Sequence, residues 1–142
     1  DESPRSTDVV ALAPVKLLSV SAQRFIQTLF KDSQLHHRML QLMVQRLRQT
    51  NFRFQLRNQP PAVKLANTLA SLSESYGQQS DHGVAIFNIP PHDLADVADI
   101  SEEETSKIME KLIEKGWIKI DEARDAILLT NTKQLSQLAG KG

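Results

Sequence analysis

The stretch Pro91-His92-Asp93-Leu94-Ala95-Asp96-Val97-Ala98-Asp99-Ile100-Ser101-Glu102-Glu103-Glu104-Thr105-Ser106-Lys107-Ile108-Met109-Glu110-Lys111-Leu112-Ile113-Glu114-Lys115-Gly116-Trp117-Ile118-Lys119-Ile120 decides the fold. Leu94, Ala95, Val97 and Ala98 place an apolar stripe on a short helix that begins after Pro90-Pro91. Asp99-Ile100 then makes a tight turn. Ser101 is an N-cap, and Glu104 three residues later completes a capping box. The second helix runs to Lys115 on a face of Ile108, Met109, Leu112 and Ile113, and Gly116 stops it in the left-handed conformation. Two short strands at 117–121 and 126–130 follow, joined by a polar turn at 122–125. Ala95 must be small, because a bulky side chain there would hold the two helices apart. A helix pair followed by a β-ribbon is an arrangement that can lay one helix in a DNA major groove.

Working outward towards the N-terminus, residues 84–88 read as a strand and 77–83 as a polar loop. Residues 62–76 form an amphipathic helix through Val63, Leu65, Ala66, Leu69 and Leu72. Gln59-Pro60-Pro61 breaks the preceding helix and makes a natural hinge. That preceding helix covers about 34–58, a run without Pro or Gly. Within it Leu40, Met43, Leu47, Thr50 and Phe54 step by three and four, the spacing of a coiled-coil seam. Leu35, Met39 and Leu42 add a second stripe for packing on residues 9–30. A helix with two apolar stripes has two neighbours, and the simplest second neighbour is another copy of itself. Residues 9–12 and 15–20 read as strands, and Ser19 or Ser21 caps a short helix carrying Phe25, Ile26, Leu29 and Phe30. Two strands and a helix cannot close a domain, so this region is expected to be the tail of a larger β domain. At the other end, Thr132 to Leu138 forms a last short helix.

Composition bounds the functional classes. The chain has 142 residues, 40 % hydrophobic and 24 % charged, the balance of a globular protein. No apolar run approaches the ~18 residues of a membrane span, and without cysteine there are no disulfides, Cys-ligated zinc sites or iron–sulfur clusters. A cytoplasmic protein with no membrane partner is the expectation. His36 and His37 are adjacent and diverge on a helix, while His82 and His92 stand alone, so no metal site is expected. There is no nucleophile elbow and no Gly-rich phosphate loop. The expected class is a binding protein rather than an enzyme. Charge is zero overall but uneven: residues 33–64 hold six basic side chains and no acidic one, whereas 84–142 hold seven basic and eleven acidic. DNA-binding modules ordinarily carry the opposite sign.

The order of parts resembles the cyclic-AMP receptor protein and fumarate–nitrate regulator (CRP/FNR) family of bacterial transcription factors, with most of the effector β-roll lacking. Glu103-x-x-Ser106-Lys107 looks like the Glu-x-x-Ser-Arg reading motif of the fumarate–nitrate branch with Lys for Arg, and Gln134-Leu135-Ser136-Gln137-Leu138-Ala139-Gly140 is similar to that branch too. The resemblance implies a mainly α fold with a small β component. Residues 1–33 would be the remnant of a cyclic-nucleotide-binding-like effector domain, 34–59 a dimerisation helix and 60–142 a winged helix-turn-helix domain. It implies a homodimer on a near-palindromic double-stranded DNA operator, with RNA polymerase as a further partner.

The DNA-contacting set that the resemblance implies is Ser101, Glu102, Glu103, Thr105, Ser106, Lys107, Lys111, Lys119 and Arg124. Glu103, Ser106 and Lys107 would face bases, while Thr105, Lys111, Lys119 and Arg124 would face the backbone. Pro4-Arg5-Ser6-Thr7 resembles the Arg-Ser of the cyclic-nucleotide branch. Thr50 and Asn51 fall where a Thr-Ser pair of that branch meets the purine. Arg5, Ser6, Thr50 and Asn51 are therefore the implied cyclic-nucleotide (cyclic-AMP-like) residues, and Arg can pair with a phosphate bidentately. A different reading keeps the fold and discards the DNA: Glu102, Glu103 and Glu104 meet a basic partner, making the chain a protein–protein interaction module.

Overall fold

Ser21 opens the first helix because its hydroxyl accepts the Arg24 N–H at 3.4 Å, satisfying one of the donors that a helix start leaves unpaired. The computed structural model describes residues 9–12 and 14–140. The Arg5 and Ser6 expectations lie outside those residues. Packing divides the chain into two units, with the boundary between Gln55 and Leu56.

The first unit holds α1 (Ala22–Lys31) and all but the last residue of α2 (Ser33–Leu56). Asp32 separates them and caps the second: its Oδ1 accepts the N–H groups of Gln34 and Leu35 at 2.9 and 3.0 Å. Neither helix buries a residue, although Leu29, Leu35 and Met39 are half-covered. The strands expected at 9–12 and 15–20 do not form. A strand is stable only beside a partner ladder, and all four strands of the described chain lie between Gln78 and Leu129.

The second unit starts with α3 (Pro61–Tyr76), whose first position is a proline that needs no hydrogen-bond partner. It continues through β1 (Gln78–Ser80), β2 (Gly83–Phe87), α4 (Pro91–Ala98), α5 (Glu102–Glu114), β3 (Ile118–Asp121), β4 (Ala126–Leu129) and α6 (Thr132–Leu138). The strands form one antiparallel sheet in the order β1-β2-β4-β3. Part of the expected 77–83 loop is thus a strand: Gln78 pairs with Ala85, Gln79 with Val84 and Ser80 with Gly83. Two glutamines are weak strand formers alone; here the exposed edge of β2 supplies the ladder.

The core sits between the sheet and helices α3, α4, α5 and α6. Leu65, Leu69 and Leu72 of α3 meet Ile86, Ile89, Leu94, Leu112, Ile118, Ile127, Leu129 and Leu135, all buried. Burying each such side chain stabilises the fold by about 1.5–3 kcal/mol. Asn67 lies within this face, and its amide donates to the carbonyls of Val63 and Ala139 at 3.0 and 2.9 Å, binding α6 to α3. Val97 and Ile113, which the sequence pattern adds to the apolar faces, are exposed instead.

Gly83 is needed for two reasons. Its φ is +130°, and a Cβ there would stand 2.2 Å from the Leu129 carbonyl oxygen. Gly83→Ala should therefore destabilise the second unit by more than about 1 kcal/mol, read as a lower midpoint in urea unfolding followed by Trp117 fluorescence.

Candidate nucleic-acid interface

The turn that joins α4 to α5 is built from backbone geometry. Asp99 ends α4 in the left-handed conformation (φ 55°, ψ 52°), which Asp tolerates better than most side chains. Its N–H returns to α4, and the Ile100 N–H reaches the Ala95 carbonyl at 3.2 Å. Ala95 is buried at this crossing, as the requirement for a small residue predicts. Lys64, from the first turn of α3, holds the turn from the other side: its ammonium donates to the Asp99 carbonyl at 3.0 Å and to its carboxylate at 3.2 Å. Nothing in the local sequence pattern points to this contact, because the partners lie 35 positions apart.

Ser101 then caps α5 as expected. Its Oγ accepts the Glu104 N–H at 3.2 Å, and Glu104 Oε2 accepts from the Ser101 N–H and hydroxyl, completing the capping box. Glu104 thus serves the helix terminus. Gly116, at φ +67°, stops the helix. Thr105, Ile108, Met109 and Leu112 turn inward at the i, i+3, i+4, i+7 spacing.

Thr105 corrects the expected contact set. It is fully buried and its hydroxyl donates to the Ser101 carbonyl at 3.0 Å, so it cannot reach a phosphate. Ser106 is half-buried at the edge, and Glu102, Glu103, Lys107 and Lys111 are exposed. The ridge opposite the buried face consists of Glu103, Lys107, Glu110 and Glu114, by the same helical spacing. Glu103 and Lys107 form an ion pair at 2.6 Å across one turn. An exposed pair of this kind is worth about 0.3–0.5 kcal/mol, so a stronger partner can open it. The ridge nevertheless holds three carboxylates against one ammonium. Carboxylates accept from cytosine amino groups, yet they repel phosphates within a Debye length of ~8 Å at physiological salt.

The hairpin β3–β4 forms the wing. Lys119 is exposed on β3. Arg124 sits in the turn, its N–H bonded to the Asp121 carboxylate and its Nε 3.8 Å from the other carboxylate oxygen. The turn closes at Asp125 (φ 48°), whose side chain and carbonyl both accept from Asn88 at 3.0 Å. Lys115 stacks over Trp117 at 4.9 Å at the start of the wing. In the first unit, Leu40, Met43, Leu47 and Phe54 are all more than half exposed within the chain. Thr50 lies on α2 with its hydroxyl donating to the Arg46 carbonyl at 3.0 Å, and Asn51 beside it is exposed.

The model of the Crp-like helix-turn-helix domain matches residues 63–138, from the first turn of α3 to the end of α6. The chain belongs to the Crp-like helix-turn-helix family. Among solved structures it is similar to FixK2 from Bradyrhizobium japonicum, with 17 % identity, a TM-score of 0.71, and coverage of 84 % of this chain and 59 % of that one. A CooA mutant from Carboxydothermus hydrogenoformans shares 14 % identity with a TM-score of 0.70, covering 82 % of this chain and 54 % of that one. A CRP/FNR-family transcriptional regulator from Thermus thermophilus shares 24 % identity, with a TM-score of 0.65 and coverage of 77 % and 56 %. No curated protein matches the chain in sequence. The chain spans a little over half the length of the solved proteins it resembles. For the Crp-like winged domain these likenesses carry the fold: mainly α, with the small antiparallel sheet that supports the wing. No helix of the described residues is long and apolar enough to cross a membrane.

Proposed function

We propose that this Crp-like chain is a sequence-specific, DNA-binding transcription regulator that acts as a homodimer in the cytoplasm and binds rather than catalyses. The carrying observation is α5 itself: capped at both ends, held by its inner face and exposed along the ridge that begins at Glu103. Two copies would present this helix to successive major grooves about 34 Å apart on a near-palindromic operator. Glu103, Ser106 and Lys107 would face bases, with Ser101 and Glu102 at the groove-side end of the helix. Lys111, Lys119 and Arg124 would face phosphates.

Dimerisation through α2 is supported by four large apolar side chains left open at seam spacing. Contact with RNA polymerase and control through an effector region belong to the same reading. In that reading Arg5, Ser6, Thr50 and Asn51 bind a cyclic nucleotide, and the break at Gln59–Pro61 is the two-state element that responds.

The acidic ridge favours one other reading. Glu103, Glu110 and Glu114 outnumber Lys107, a balance suited to a basic protein partner rather than a polyanion. Titration against a randomised duplex pool at several salt concentrations separates the two. A regulator enriches a dyad and loses affinity steeply as salt rises; a protein-interaction module enriches nothing.

Leu47→Asp should halve the mass found by sedimentation equilibrium and abolish dyad selection while leaving the winged unit folded. Lys107→Ala should cost about 1–3 kcal/mol of operator affinity and relax selection at one base position in each half-site. Cyclic AMP titrated into the intact protein should release heat that Arg5→Ala removes. Absence of heat from the unaltered protein would eliminate the cyclic-AMP site.

A further inference from the structure

Lys64 occupies an unusual place in this fold. Its backbone N–H bonds to the Pro60 carbonyl at 3.1 Å, and its own carbonyl accepts the Thr68 hydroxyl at 3.0 Å, so its main chain is locked into the first turn of α3. That turn starts at the Pro60-Pro61 helix break. The side chain is only 12 % exposed and ends on Asp99, the left-handed residue between α4 and α5. Two residues further on, Ser101 launches α5.

The turn is thereby held at three points. The N–H groups of Asp99 and Ile100 are tied back to α4, and the Asp99 carbonyl is tied to α3. The Asp99 carboxylate is 80 % exposed, so water screens that half of the contact, and the carbonyl bond is the shorter of the two, 3.0 Å against 3.2 Å. A left-handed non-glycine residue is a conformation with few neighbours in backbone space. Small changes at the carbonyl therefore alter the direction in which Ile100 and Ser101 leave the turn.

We propose that Lys64 is a positioning residue: it couples the first turn of α3 to the Asp99 turn and so sets the angle at which α5 is presented. The inference rests on the DNA-reading role proposed above and adds the residue through which motion at the Pro60-Pro61 break would reach the reading helix. A rotation of the first turn of α3 moves the ammonium, and the ammonium carries the Asp99 carbonyl with it. No contact between Lys64 and nucleic acid is required.

The test compares full-chain Lys64→Met, Lys64→Arg and Asp99→Asn with the unaltered protein. Met keeps the covered stem and removes both bonds, Arg restores a donor of similar reach, and Asn keeps the carbonyl acceptor and tolerates the left-handed conformation. Two readouts are needed: amide hydrogen exchange, and the ratio of affinity for the selected operator to that for random duplex. In Lys64→Met the Ile100 amide should exchange about tenfold faster while the amides of Leu69 and Ile86 keep their protection. Operator discrimination should fall about tenfold with an unchanged salt slope on random duplex. Lys64→Arg should recover both, and Asp99→Asn should fall between.

Unchanged Ile100 exchange in Lys64→Met would overturn the proposal, as would equal losses on operator and random DNA. Uniform loss of protection through the core would also overturn it, by showing a general stabilising role. If the unaltered protein selects no operator, the DNA-reading role fails, and Ile100 exchange alone decides whether Lys64 orients the turn.

Discussion

The left-handed turn at Asp99 is the constraint on which the winged unit depends. It reverses the chain within two residues, so that Leu94 of α4 and Leu112 of α5 enter one core with Leu65 and Leu69 of α3. A left-handed L-residue costs roughly 1–2 kcal/mol, less for Asp than for most. Hydrogen bonds to a charged donor contribute about 1.5–3 kcal/mol. The bond from the Lys64 ammonium to the Asp99 carbonyl is exposed to water, so it offsets only part of the backbone cost. With the turn held, Ser101 can cap α5 and the sheet can close beneath it.

Electrostatics divide the molecule in an uncommon way. Residues 33–64 carry only positive charge, while α5 carries Glu102, Glu103, Glu104, Glu110 and Glu114 against Lys107 and Lys111. Part of that acidity has a local cause. Three carboxylates in the first turn complement the positive end of the helix dipole, and Glu104 bonds directly to the Ser101 cap. Glu110 and Glu114 have no such explanation, since they sit near the negative end of the same helix. They are the residues that most sharply test what α5 can approach.

The winged unit was legible because its signals are local. A proline at a helix start, a serine cap with glutamate three positions on, and a glycine at a helix end each act within a few residues, and the structure places each as read. The resemblance places Thr105 among the DNA contacts, but helical phase, not residue type, decides which side of α5 it occupies; it shares the inward spacing of Ile108, Met109 and Leu112. The 9–12 and 15–20 segments show the converse. Their β-branched residues favour strand, but propensity without a partner ladder makes none.

By itself the sequence determined the approximate helix boundaries, the capped helix α5, the wing and the apolar three-and-four spacing on α2, because periodicity and end signals need no knowledge of distant residues. Tertiary structure alone decided that Gln78–Ser80 joins the sheet, and that Lys64 and Asn67 tie α3 to the Asp99 turn and to α6. Those contacts join residues from 35 to 72 positions apart, or depend on which edge of a strand is left unpaired. No short-range pattern encodes such pairings; they exist only once the chain has packed.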